Sequence, residues 1–226
     1  FIAPDAVLTY QGTNPLNVNN MTLAIQGGGR FSSWDNNSLT MNEDGGTLRL
    51  ADNATTLSHL AFGATVTDAV LDIDKNETSA CPDDNIGNDN DGNLSIIKVE
   101  KLVHAGDSNL KLSANTELRL QNSFPVATLR TMTVSGANGT LALDDTVTFN
   151  SQSKFVFDSP GTKVSSGVFD FTSNNLLDVI QSVTFQSSIS KWGDNSEIEI
   201  ANAATLAYKD NQWETQGALT KTGCSM

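Results

Sequence analysis

NLKLSANTELRLQNSFPVATLRTMTVSGANGTLALDDTVTFNSQSKFVF, residues 109–157, decides how this chain is read. Short apolar-x-apolar triplets recur in it: Leu110-Lys-Leu112, Leu118-Arg-Leu120, Met132-Thr-Val134, Leu141-Ala-Leu143, Val147-Thr-Phe149 and Phe155-Val-Phe157. Asn, Ser, Gly, Asp and Thr separate them. Alternation with period two marks a strand with one buried face, and the separators are turn formers. No catalytic signature interrupts the pattern.

The beat extends in both directions. Leu23-Ala-Ile25, Leu39-Thr-Met41, Leu48-Arg-Leu50 and Leu71-Asp-Ile73 precede it, with Gly27-Gly28-Gly29, Asp35-Asn36-Asn37 and Gly45-Gly46 at the corners. Ile198-Glu-Ile200 and Leu206-Ala-Tyr208 follow it. Leu23, Leu48, Leu71, Leu94, Leu118 and Leu141 serve as anchors of a longer repeat of about two dozen positions. A shorter beat, about a third as long, runs inside it, as in Leu39, Leu48, Leu57 and in Leu102, Leu110, Leu118. Three short strands per repeat of that length is what one coil of a parallel β-helix needs, each coil climbing one strand spacing of ~4.8 Å. The expected fold is therefore an all-β solenoid with coils of roughly 23–25 residues, one domain over residues 1–226. The competing fold is an antiparallel β-sandwich. Its hairpins would use Asp44-Gly45, Asp91-Gly92 and Asn138-Gly139, but the strands between these turns are very short. Residues 1–10 read as a first strand with Ala6, Leu8 and Tyr10 on one face, open to strand addition by a neighbour. The run from Asn174 to Gln181 reads equally as a helical turn or a strand.

Composition narrows the function classes. Twenty-six acidic residues against 13 basic give a net charge of -13. This opposes binding to the nucleic-acid backbone or to anionic lipid, both of which need a cationic face. No run approaches the roughly 18 apolar residues of a membrane helix. Abundant Asn, Ser, Thr and Gly, with aromatics at only 7%, fit a secreted, extracellular or cell-surface β-rich chain. The start at Phe1 predicts a processed or trimmed chain. Cys81 and Cys224 form an even pair that permits one disulfide in an oxidising compartment; two free or intermolecular thiols compete with it. Six Asn-x-Ser/Thr sequons, at Asn20, Asn36, Asn53, Asn76, Asn93 and Asn138, are glycosylation candidates, although chance supplies several in so Asn-rich a chain.

One stretch breaks the beat: residues 76–93, NETSACPDDNIGNDNDGN. Asp83, Asp84, Asp89 and Asp91, interleaved with Asn, supply many hard oxygens within a short span. Ca²⁺ takes about six to eight such ligands, so a structural calcium ion is the candidate cofactor. The full calcium-loop pattern fails at Gly87 and lacks the distal Glu, and a solvated loop that projects from the coil is the plainer reading. An enzyme acting on acidic polysaccharides would need convergent carboxylates. Asp144-Asp145 is the nearest approach, yet neighbours within a strand point to opposite faces. His104 lies near Asp107, Arg119 and Arg130 are single cations on polar faces, and His59 reads as structural. Trp34, Trp192 and Trp213 are candidates for stacking on sugar rings, with loop packing the commoner use.

The last repeat adds a resemblance. Trp213 followed by Gly217-Ala-Leu-Thr-Lys-Thr-Gly223 resembles the short strand repeat of bacterial autotransporter passenger domains. The likeness covers only Trp213 to Gly223 and departs at Cys224-Ser-Met226, where that family continues with another glycine and strand. No membrane-inserting barrel follows in this sequence, so the expectation is a passenger fragment or a complete subunit rather than a self-contained autotransporter. The resemblance implies a right-handed parallel β-helix on a cell surface, adhesive or self-associating. The functional expectation is a non-catalytic structural or adhesive protein that self-associates into oligomers or fibres or binds host or matrix glycans. A polysaccharide-active lyase or hydrolase and a carbohydrate-binding module are the alternatives.

Overall fold

Stacking a triplet on its counterpart one coil away buries both apolar residues and leaves the middle one outside. The chain repeats that operation on three sides. The computed structural model describes residues 7–10, 16–17, 22–25, 30–33, 39–41, 47–50, 56–57, 59–64, 69–73, 95–186, 188–209, 212–215 and 220–222. These residues contain strands and turns and no helix.

Three parallel nine-stranded sheets result. Sheet A holds β3 (Thr22–Ile25), β6 (Thr47–Leu50), β9 (Ala69–Ile73), β12 (Ser108–Leu112), β15 (Thr131–Gly136), β18 (Lys154–Asp158), β21 (Leu176–Val179), β24 (Glu197–Ile200) and β27 (Thr220–Thr222). Sheet B holds β1 (Val7–Tyr10), β4 (Arg30–Ser33), β7 (Thr56–Leu57), β10 (Ser95–Val99), β13 (Thr116–Leu120), β16 (Thr140–Leu143), β19 (Thr162–Ser165), β22 (Val183–Gln186) and β25 (Leu206–Lys209). Sheet C holds β2 (Leu16–Asn17), β5 (Leu39–Met41), β8 (Leu60–Phe62), β11 (Leu102–His104), β14 (Phe124–Val126), β17 (Thr146–Phe149), β20 (Val168–Ser173), β23 (Ile189–Asp194) and β26 (Gln212–Thr215). Every strand pairs with the strand three positions away in the chain, which is the connectivity of a parallel β-helix and excludes the antiparallel sandwich. The first strand, β1, pairs with β4 of its own chain, and residues 176–179 form a strand rather than a helical turn.

The register makes each strand position a column. On sheet A one column runs Leu23, Leu48, Leu71, Leu110, Val134, Phe157, Val179, Ile200. On sheet B another runs Ile97, Leu118, Leu141, Val164, Phe185, Tyr208. These columns correct the spacing expected from sequence. Leu118 and Leu141 share a column, but it lies on sheet B, whereas Leu23, Leu48 and Leu71 stack on sheet A. The true successor of Leu71 is Leu110, and that step is much longer in sequence than any other in the column. The insertion between them lengthens one coil by about two strand beats, so a uniform ruler slides from one sheet to the next.

The interior changes character along the axis. Leu and Val predominate in the coils around β8 to β16, with Phe62, Ile97, Phe124 and Met132 among them, and Phe149, Phe155, Phe157, Phe169, Phe171, Phe185 and Trp192 line those beyond, all seven fully buried. Phe149, Phe171 and Trp192 stack in a column on sheet C, with centroids 4.6 and 4.2 Å apart and planes within 13° and 8°. That separation is close to the strand spacing itself, so parallel in-register pairing sets the stack.

Several corners are made where the chain has polar residues tolerant of left-handed backbone, and Leu129 and Ala203 adopt it as well. Asn115, Asn138, Asn174 and Asn195 all have positive φ. Asn175 braces the corner before β21: its Nδ2 donates to the Asn150 carbonyl at 2.6 Å and to Ser153 Oγ at 3.1 Å, and its Oδ1 accepts from Ser173 N–H at 2.9 Å. At Gly193 a Cβ would overlap the Thr172 carbonyl oxygen, so only glycine lets that coil settle on the one before it.

Candidate functional site

The sequence-predicted calcium residues Asp83, Asp84, Asp89 and Asp91 lie outside the described residues, as do Cys81, Cys224 and Trp34. What the fold does fix is where that loop leaves the coil. The connection from β9 to β10 runs over positions 74–94, at the edge between sheets A and B. Other described connections at this edge are far shorter, as at 113–115 and 201–205. Among the described residues no group of three or more His, Cys, Asp or Glu is placed to hold a metal ion.

The charges of the described strands sit on outward columns; sheet B and the later coils of sheet A differ in sign, while sheet C sets Asp170 beside Lys191. On sheet B, alternation places Glu117 and Arg119 on the same outward face of β13. Arg119 Nε and Nη2 donate to Glu117 Oε1 at 2.9 and 2.7 Å, and Nη1 reaches Asp144 Oδ1 at 3.4 Å. The bond to Glu117 comes first in holding the guanidinium above its ordinary pKa, with the charges of Glu117 and Asp144 adding to it. Along the same face Lys98, Lys163 and Lys209 stand exposed. Glu117 is the single carboxylate on the sheet B strands among residues whose side chains are described.

The Asp144-Asp145 pair sits in the turn between β16 and β17 rather than within a strand, and both side chains are exposed. They nevertheless do not converge. Asp144 faces Arg119 and accepts from Gln121 Nε2 at 3.5 Å, while Asp145 Oδ1 accepts from Thr146 N–H at 2.9 Å.

Sheet A carries the opposite sign over its later coils. Asp158 on β18, Asp178 on β21, and Glu197 and Glu199 on β24 face outward, with Lys154 among them. Asp178 and Glu199 are direct register partners on neighbouring strands. Partial burial, then repulsion from Glu199, raises the Asp178 carboxyl above its ordinary range; Lys154 opposes this and Asp158 adds to it.

His104 is an inward residue of sheet C, 2% exposed, with Nε2 2.8 Å from Ser108 Oγ and its ring tilted against Phe62. Burial lowers its pKa to about 4, so it is neutral at pH 7. Its sequence neighbour Asp107 turns elsewhere and accepts from Thr131 N–H at 2.8 Å. Arg130 Nη2 donates to the Ala64 carbonyl. Trp192 is 1% exposed and lies in the aromatic stack, which removes it as a sugar platform; Trp213 is in β26, with its side chain outside the described set. Burial pushes the Tyr208 hydroxyl up, partly offset by its bond with Ser190.

Sequence reasoning missed the sorting of charge by face. Its signal was present as the middle letter of triplets such as Leu118-Arg-Leu120 and Ile198-Glu-Ile200. Only the register says which triplets share a sheet. Comparison with family models, with curated proteins and with solved structures finds no match to this chain.

Proposed function

We propose that this chain is an extracellular structural or adhesive surface protein of the autotransporter-passenger type, acting non-catalytically through its outward faces by self-association or by binding glycans. The observation that supports this best is the division of labour in the columns. Inward positions are given to packing, while outward positions repeat polar and charged side chains at each strand spacing over successive coils. A rigid, regularly repeating surface meets a partner with little further ordering cost. The aspartates of residues 76–93 would carry a calcium ion whose role is to hold that loop. Sedimentation velocity at rising protein concentration, with Ca²⁺ and with chelator, tests the assembly half. A species that stays monomeric throughout sinks it.

A second reading has one observation in its favour. Asp178 and Glu199 are outward carboxylates one strand spacing apart, and one of them has a raised pKa, as an acid–base pair in a polysaccharide-active enzyme requires. Assay against a panel of uronic-acid polymers with Ca²⁺ separates the readings. New unsaturated or reducing ends that vanish in Asp178→Asn would establish the enzyme.

A further inference from the structure

Over the coils that carry β18, β21 and β24 the two charged faces are complementary in sign and in spacing along the axis, whereas one earlier coil carries Lys98 and Lys111 on both faces. Arg119, Lys163 and Lys209 occupy β13, β19 and β25, alternate coils about 10 Å apart. Asp158, Asp178 and the pair Glu197 and Glu199 occupy β18, β21 and β24, three successive coils. Lys163 and Asp178 belong to the same coil, the one formed by β19, β20 and β21. Arg119 lies one coil before Asp158, and Lys209 one coil after Glu197 and Glu199. Long cationic side chains span a single strand spacing with ease.

We propose that copies of this chain pack side by side, the cationic sheet B face of one against the acidic sheet A face of the next. In a parallel neighbour at equal height, Lys163 comes level with Asp178. Lys209 reaches toward Glu197 and Glu199, while Arg119 stays bonded to Glu117 and Asp144 of its own chain, one coil before Asp158. The inference rests on the self-association reading above and names the surfaces that carry it. A second copy is the favoured occupant because the chain itself supplies the acidic counterpart at matching heights, and because the crowding of Asp178 by Glu199 and Asp158 is relieved by a facing cation. The contact is heterologous: a copy that has used its sheet B still presents its sheet A. Rows of copies grow, or rings close, according to the angle between successive copies.

Two charge-reversal variants and their mixture test it, with the full chain and sedimentation velocity at low ionic strength. Wild type associates, and added salt dissociates it as the facing charges are screened. Lys163→Glu/Lys209→Glu and Asp178→Lys/Glu199→Lys each set like charges opposite one another and weaken association at least about tenfold. Mixed one to one, the variants regain it, since each keeps the native face the other needs. Circular dichroism checks folding; Glu197→Lys/Glu199→Lys replaces the second variant if Asp178→Lys does not fold. Variants that associate alone as wild type does would overturn the face assignment while leaving self-association standing. A folded mixture that fails to regain association would overturn the complementarity. Wild type that stays monomeric at low salt would sink both.

Discussion

His104 shows how a single buried side chain contributes to the pH response of this fold. Its pKa is lowered to about 4 by burial, against about 6.5 in an unfolded chain. The unfolded state therefore takes up a proton first as pH falls. Stability is level above about 6.5, declines between about 6.5 and 4, and is level again below that as far as this residue goes. A shift of that size corresponds to about 3 kcal/mol. His104→Leu should flatten the decline, read as denaturation midpoints at about pH 7, 5.5 and 4; an unchanged slope would show that other groups set it. Asp178 carries the opposite sign. Its carboxyl is raised, so the folded state resists ionising it, and the cost is present above its folded pKa and gone below the unfolded one. Asp178→Asn should stabilise by a few tenths to about 1 kcal/mol at neutral pH, after allowing for solvent screening, and by nothing once the carboxyl is protonated in both states.

At the scale of a strand, β14 is the instructive case. Proline in mid-strand has no N–H to give a ladder and ordinarily argues against a central strand. Phe124-Pro-Val126 accordingly passes unnoticed among the triplets of residues 109–157, yet Phe124 and Val126 are buried in line with the rest. Its pairing is uneven: three register pairs join it to β17, and toward β11 the register is His104↔Val126. Asn122 supplies what the backbone does not. Its Oδ1 accepts from Leu102 N–H at 2.7 Å and its Nδ2 donates to the Leu102 carbonyl at 3.1 Å, a side-chain amide standing in for a peptide. Asn122→Ala should cost about 1–3 kcal/mol by leaving both Leu102 groups short of a partner, read as a shift in denaturation midpoint. Asn122→Gln should not restore it, because the longer arm misplaces the amide. The aromatic stack gives a larger effect. Phe171→Ala removes the ring between Phe149 and Trp192, and should cost about 3–5 kcal/mol with a red shift of tryptophan emission.

For the whole molecule, the nine-fold ladder on each side makes one coil the support of the next, so stability accumulates by neighbouring contacts. The long connection 74–94 interrupts neither ladder it lies between, because β9 pairs with β12 and β10 pairs with β13 in full register. Replacing residues 77–92 with a short Gly-Ser link should therefore keep the β circular dichroism of the parent. It should also abolish any rise in melting temperature on adding Ca²⁺. A rise that survives the replacement would place the ion elsewhere.

The sequence by itself determined the class of the fold. Period-two triplets such as Leu141-Ala-Leu143 carry their own instruction about which side chains face in, since adjacent Cβ atoms on a strand point to opposite faces. Polar residues between them mark the corners, and the acidic stretch 76–93 announces itself by lacking the beat. Tertiary structure alone decided which triplets lie on one another. Leu71 meets Leu110 across the insertion, Trp192 is swallowed by the Phe149 column, and Lys163 and Asp178 come to the same coil on different faces. Those facts depend on register across a whole coil of chain or more, which local pattern cannot count once a loop is inserted. The outward charges become two faces of opposite sign only after the coils are stacked, because neighbours on a face are a full coil apart in sequence.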